Sequence, residues 1–310
     1  MTTVLLAAYN GEKFLKEQLA SLERCQGVNR VILQDDGSSD STPEILRQWA
    51  VEHSQGTLGR EWGRHLGPVG NFFSLIRQCP PGDAALCDQD DVWHPDRIAR
   101  GVDVLRRREA EVGREVPLLV HSDMRVVDET GQVIHGSAFA HQGWDPGANT
   151  LAPLLVQNNV TGCTLLMNEA LLTLLQQVPP EAETGMSMHD WFIALTAVSF
   201  GEIHFVDDPL VDYRQHGRNV KGASTRGLLS RGLHALGAWR RGKARIALTY
   251  DQAERFLQGW GERLPESARQ ILQGYLDTRS MGKCRRVLAV RRGGYTMQSP
   301  ITRAGQMIFG

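Results

Sequence analysis

Residues 85–95 read ALCDQDDVWHP, an apolar run that breaks into Asp88, Asp90 and Asp91 just before Trp93 and Pro95. Carboxylates this close repel one another, and burying any of them is costly unless something cationic neutralises it. An acid-rich turn in solvent would account for the local pattern. A sharper answer is a divalent cation, Mg²⁺ or Mn²⁺, which takes carboxylate oxygens and leaves substrate phosphates to complete its shell.

Working outward, the same grammar recurs upstream. TTVLLAA (2–8) stops at Tyr9-Asn10-Gly11, and the segment after it places Phe14, Leu15, Gln18, Leu19 and Leu22 at helical spacing. Asn10 is expected to cap that helix. NRVILQ (29–34) breaks at DDGSSDST (35–42), where Ser41 or Thr42 can N-cap a helix with Pro43 near its start. GPVGNFFSLIRQC (67–79) and DRIARGVDVLRRREAEV (96–112) supply two more helices. Unbroken apolar runs, each followed by a helix, predict a mostly parallel central sheet covered on both faces. Ligands bind at the carboxyl ends of such strands, so Tyr9-Asn10, Asp35-Asp36 and Asp88-Gln89-Asp90 are expected to share one crevice.

From about residue 117 the pattern is mixed. PLLVHSDMRVVDETGQVI (117–134) reads as a strand with a turn at 129–131, and NVTGCTLLMN (159–168) as another strand. MSMHDWFIALTAVSFG (186–201) reads as a helix whose apolar face includes Trp191, Ile193, Leu195 and Val198, and residues 202–220 as a strand running into a polar turn. Beyond 224 come Arg-rich helical stretches.

Of the 310 residues, 41% are hydrophobic and 22% charged, an ordinary globular composition rather than a disordered one. The five cysteines are scattered without a CxxC pair, which argues for a reducing compartment and against structural zinc. No 18-residue apolar stretch is present, and MTTVLLAAYNGEKF lacks the basic start of a signal peptide, so a cytoplasmic location is expected. The net charge of −1 hides an asymmetry: residues 1–210 carry 15 Lys+Arg against 29 Asp+Glu, and residues 211–310 carry 19 against 6.

Taken together, VLLAAYNGEKFLKEQLASL, VILQDDGSSDST and CDQDDVWHPDRI resemble, in order and spacing, the nucleotide-binding half of the family 2 glycosyltransferases. The resemblance continues through NNVTGCTLLMN and residues 189–220, which look like the bacterial rhamnosyltransferase branch. It implies an α/β GT-A fold, the nucleotide-diphospho-sugar transferase fold, over residues 1–222. That region would divide into a nucleotide-sugar half (1–115) and an acceptor half (116–222), followed by a basic helical region (223–310). It further implies that Tyr9 and Asp36 hold a pyrimidine base, with Ala8, Asn10 and Glu12 in the same loop. Asn71 would complete the nucleotide pocket, and Asp88 and Gln89 would sit near ribose and diphosphate. Asp90 would ligate the metal, His216 would face metal or diphosphate, and Asp190 would be the catalytic base. Many family members carry Glu-Asp at the base motif, where this chain has His189-Asp190.

The chemistry of the residues agrees with that expectation. Inversion by direct displacement needs one general base and no protein nucleophile, and a cation offsets charge on a departing diphosphate. The expected activity is transfer of L-rhamnose from dTDP-L-rhamnose to a surface polysaccharide or lipopolysaccharide acceptor. The alternatives are a UDP-hexose donor, or a nucleotide-sugar- or glycan-binding module without catalysis. A sugar-phosphate nucleotidyltransferase would want a Gly-rich phosphate loop after the first strand, which AAYNGEKF lacks. The basic C-terminal region, with Leu233, Leu236, Trp239, Arg240 and Arg241, is expected to meet an anionic membrane surface or a lipid-diphosphate acceptor. No motif supports nucleic acid as a partner.

Overall fold

The computed structural model describes residues 1–217 and 235–309; for 235–241 and 309 it describes the backbone alone. The membrane expectation placed on Leu233–Arg241 therefore lies outside the described side chains.

The first half alternates as expected: β1 (Thr2–Ala8), α1 (Leu15–Arg24), β2 (Val28–Asp35), α2 (Thr42–Glu52), β3 (Gly56–Leu58), α3 (Gly67–Gln78), β4 (Asp83–Cys87), β5 (Val92–Trp93) and α4 (Arg97–Val112). The second half adds β6 (Leu118–Val127), β7 (Val133–His135), α5 (Ala138–Gln142), α6 (Leu151–Val156), β8 (Leu166–Met167), α7 (Glu169–Leu175), α8 (Pro180–Glu183), α9 (His189–Phe200) and β9 (Glu202–Arg214). Helices α10 (Ala235–Trp260), α11 (Glu266–Asp277), α12 (Lys283–Arg292) and α13 (Pro300–Phe309) follow.

The strands form one sheet in the order β3-β2-β1-β4-β8-β6-β9-β5, with β7 beside β6. From β3 to β4 all neighbours are parallel. Beyond β4 the sheet is mixed: β8 runs antiparallel to β4 and β6, β6 and β9 run parallel, β5 pairs antiparallel with β9, and β7 pairs antiparallel with β6. Successive side chains of a strand point to opposite faces, and β1 shows the consequence. Val4, Leu6 and Ala8 enter the core with Leu15, Leu19 and Trp49 of α1 and α2. Leu5 and Ala7 enter the core with Phe72, Phe73 and Phe192 on the other face.

Register then aligns the strand ends. Ala8 pairs with Asp35, and Leu6 with Cys87, so the three polar turns after β1, β2 and β4 emerge at one edge. Two local expectations change. NVTGCTLLMN is mostly irregular, with a 3₁₀ turn at Gly162–Thr164 and only Leu166–Met167 in the sheet. Helix α9 is buried from Trp191 to Ala197 on every side rather than along one stripe. It is enclosed because the C-terminal helices cover its second face: Phe256 and Trp260 of α10 lie 5.2 and 6.3 Å from the Phe192 ring. Phe256, Leu272 and Tyr275 share the cluster that holds Leu5 and Phe192, so α10 and α11 complete the core of the sheet.

Candidate active site

A cavity of about 1830 Å³ opens at the carboxyl edge of β1, β2 and β4. Ala8, Tyr9, Asn10, Glu12, Asp36, Asn71, Asp88, Gln89, Asp90, Asp190 and His216 all line it. What each side chain does there differs in detail.

The first two turns are stitched together. Asn10, at φ 49°, accepts from the Ser39 backbone N–H through its side chain at 2.8 Å. It therefore does not cap α1, whose first position is Phe14 without a side-chain cap. The carboxylate of Glu12 accepts from Ser41 N–H at 3.0 Å, and Thr42 Oγ1 accepts from Gly11 N–H at 2.8 Å. Asp36 is 4% exposed, and its carboxylate receives the backbone N–H groups of Leu66 and Gly67. Burial nevertheless pushes its pKa up. These bonds hold the 65–67 loop so that His65 lies 5.0 Å from the exposed Tyr9 ring, an aromatic pair at the cavity wall. Asn71, on α3, accepts from Gln34 Nε2 at 2.7 Å.

The third turn is fixed to the first by Gln89. Its amide accepts from Tyr9 N–H at 2.6 Å and donates to Tyr9 C=O at 2.9 Å. Gly11 is required beneath it: a Cβ there would lie 2.4 Å from Gln89 Oε1.

The three acids of the turn divide their work. Asp91 is 1% exposed and accepts from Arg214 N–H at 3.0 Å. Cys163 lies beside it, and burial together with the neighbouring acids pushes the thiol well above its ordinary pKa. Asp88, Asp91 and Cys163 bring ligand atoms within 4.8 Å of one another, but a soft sulfur ligand does not suit Mg²⁺ or Mn²⁺, which take oxygen. Beneath them the buried Arg97 donates to Cys163 C=O at 2.6 Å and lies 3.5 Å from the Trp93 ring centre. Arg214, 2% exposed, donates to Asp90 C=O at 2.9 Å and to Glu17 at 2.6 Å. Asp91 and the two arginines thus hold the turn.

That leaves Asp88 and Asp90 at the cavity. Burial first, then the charges of Asp90, Asp91 and Asp190, hold Asp88 well above the usual carboxylate range. His216 Nε2 lies 2.8 Å from Asp90 Oδ2, and its ring stacks 4.9 Å from Phe14. Carboxylates desolvated beside each other, with an imidazole nitrogen aimed at one of them, form an oxygen-rich donor set that suits a hard divalent cation.

Asp190 lies in the first turn of α9, whose N-cap is Met188. Asn158 donates to Asp190 Oδ1 at 3.3 Å and, more closely, to Val160 C=O at 2.7 Å. The neighbouring His189 is buried with its ring 4.2 Å from Phe72. Gly162 makes room for it, since a Cβ there would meet His189 Nε2 at 3.0 Å. Sequence reasoning passed over His65, Arg97, Asn158, Cys163 and Arg214. Arg97, Asn158, Cys163 and Arg214 lie within stretches that carried the resemblance, which gave none of them a role; His65 lies outside them.

Residues 3–116 match the family model described as Glycosyl transferase family 2. The dTDP-rhamnosyl transferase RfbG of Shigella flexneri is 25% identical over 230 residues, covering 71% of this chain and 74% of its own length. An uncharacterized protein of Mycobacterium tuberculosis is 25% identical over 223 residues, covering 70% of this chain and 60% of its own length. The chain thus spans about three fifths of the length of the mycobacterial relatives it matches. Among solved structures, S. aureus TarS 1–349 in complex with UDP-GlcNAc superposes with a TM-score of 0.55 at 16% identity, over 99% of this chain and 88% of that one. The mannosyltransferase PcManGT from Pyrobaculum calidifontis, in complex with GDP-Man and Mn²⁺, gives 0.53 at 19% identity, over 94% and 72%. The fold is the GT-A fold of nucleotide-sugar glycosyltransferases. Within it, residues 3–116, somewhat over a third of the chain, are the part similar to the family 2 glycosyltransferases.

Proposed function

We propose that this protein is an inverting glycosyltransferase that moves L-rhamnose from dTDP-L-rhamnose onto a hydroxyl of a growing surface glycan. The observation that carries the activity is the convergence in one cavity of a lone helix-borne carboxylate, Asp190, with the Asp88, Asp90 and His216 group. The donor assignment draws on the Shigella relative's name and on the resemblance of the acceptor half to rhamnosyltransferases.

In this mechanism the base of the donor nucleotide lies against Tyr9 and His65, with Asp36 and Asn71 closing the pocket. Asp90 and His216 would hold Mg²⁺ or Mn²⁺, which supplies positive charge to the donor diphosphate. Asp190, oriented by Asn158, takes the proton of the acceptor hydroxyl as that oxygen attacks the anomeric carbon from the face opposite the diphosphate. The leaving group departs as a nucleoside diphosphate, and most of the acceleration comes from positioning and electrostatics. A reaction fed by nucleotide sugars belongs in the cytoplasm.

A UDP-hexose donor is the second reading, favoured by the likeness to TarS in its UDP-GlcNAc complex. The test is turnover of dTDP-rhamnose, UDP-glucose, UDP-galactose, UDP-GlcNAc and GDP-mannose with Mn²⁺ or EDTA, beside Asp90→Ala and Asp190→Ala. Metal-dependent turnover of dTDP-rhamnose alone supports the proposal. Turnover of a UDP-sugar instead removes the rhamnosyl assignment and keeps the chemistry.

A further inference from the structure

Asp277 is the last acidic residue of the chain, and residues 278–310 carry Arg279, Lys283, Arg285, Arg286, Arg291, Arg292 and Arg303. Of these, Arg279 pairs with Asp251 and Glu254. The other six have no acidic partner among the described residues.

The two helices built from this segment turn apolar side chains outward among those cations. On α12, Leu288 is 48% exposed, and Arg285, Arg291 and Arg292 flank it at helical spacing; Val290, on the opposite side, is buried. On α13, Ile301 is 86% and Ile308 60% exposed, seven residues apart and therefore on one face. The opposite side of α13 is anchored by Gln306, which accepts from Met297 N–H and donates to Tyr295 C=O. The start of α12 lies beside the end of α13, where Lys283 Nζ donates to Ile308 C=O at 3.1 Å. An exposed leucine flanked by three arginines on α12, with two exposed isoleucines on α13, describes a surface that enters a headgroup layer and attracts its negative charge.

We propose that the α12–α13 face docks on an anionic lipid bilayer. The six cations, without an acidic partner among the described residues, favour a negatively charged surface over a second copy of this chain, whose matching face would repel them. The face is also tied to the cavity. Between α12 and α13, Gln298 bonds Gln157 through both its backbone N–H and its side-chain amide, each at 3.0 Å, and accepts from Asp145 N–H at 3.0 Å. Gln157 lines the cavity, and the adjacent Asn158 donates to Asp190. Docking on α12–α13 would therefore couple the lipid surface to the Asp190 wall of the cavity through Gln298 and Gln157, and a lipid-linked glycan is the acceptor that this coupling suits. This last step rests on the proposed glycosyl transfer; the docking does not.

The test is co-sedimentation of the full chain with vesicles of phosphatidylcholine alone, or with roughly a third phosphatidylglycerol, at low and high salt. Two variants are compared: Ile301→Glu with Ile308→Glu, and Arg285→Glu with Arg291→Glu and Arg292→Glu. Metal-dependent binding of dTDP, measured on each, reports folding and stands or falls with the transferase reading instead. The expected result is binding to phosphatidylglycerol vesicles that weakens with salt and drops at least about tenfold in both variants, while dTDP binding is unchanged. Where dTDP does not bind even the parent chain, matching thermal melts report folding instead. Absence of binding to the anionic vesicles, or equal binding by both folded variants, overturns the proposal. So does a dimer in the absence of lipid that both variants dissociate.

Discussion

The side-chain amide of Gln89 pairs with both backbone groups of Tyr9, at 2.6 and 2.9 Å, across eighty positions of sequence. This pair of bonds places the turn after β4 against the turn after β1. Gly11, lacking a Cβ, gives Gln89 the room to reach.

Gln89→Ala should therefore leave stability nearly intact, because the Tyr9 backbone is near solvent and water replaces the lost bonds. It should weaken nucleotide affinity by roughly tenfold as the Tyr9 loop loosens. Gly11→Ala should weaken affinity similarly, and the two changes combined should cost less than their sum, since the clash disappears with the glutamine. Titration of the four proteins with dTDP or UDP completes the cycle.

Arg214 is buried and holds three separate segments through Asp90 C=O, Glu129 C=O and Glu17. Arg214→Leu should destabilise the fold by about 2–4 kcal/mol, as the two carbonyls lose their donors. Urea unfolding of the variant and its parent measures this.

His121 of β6 is 2% exposed, with the Phe139 and Phe205 rings 5.8 and 5.1 Å away. Burial takes its pKa down to about 3. The unfolded chain binds a proton near the ordinary pKa of 6.5 that the folded chain refuses. The stabilisation is thus complete above pH 6.5 and declines as pH falls toward 3, by up to about 1.4 kcal/mol per unit. His121→Phe should flatten that decline, read from urea midpoints at pH 7 and pH 5.

Asp190→Asn should retain donor binding and lose about two to four orders of magnitude in kcat, since the carboxamide cannot take the acceptor proton. Asn158→Ala should reduce kcat by about tenfold with little change in donor KM, because it only orients the base. Steady-state kinetics with the donor that proves active separates the two effects.

The parallel β3-β2-β1-β4 half was legible because period and turn chemistry are local. TTVLLAA, NRVILQ and DAALC announce buried strands, and the acid-rich breaks after them mark the cavity edge. What sequence could not show depends on register across the fold. Asp91 looks like Asp88 and Asp90 in the sequence, yet Arg214, 123 positions away, claims it for structure. Asn10 has the chemistry of a helix cap, yet its side chain accepts from Ser39 N–H, and α1 starts after Phe14 with no side-chain cap. Helix α9 was expected to have one apolar face because the cover on the other, α10, comes from far along the chain.

The most direct test of the account is calorimetric titration of dTDP and UDP into the protein with Mn²⁺ and with EDTA, repeated on Asp90→Ala. The expected result is binding of at least one nucleotide that depends on the cation and is lost in Asp90→Ala. Binding that is equally tight in EDTA would contradict the metal role of Asp90 and His216. Absence of nucleotide binding under every condition would contradict the glycosyltransferase itself.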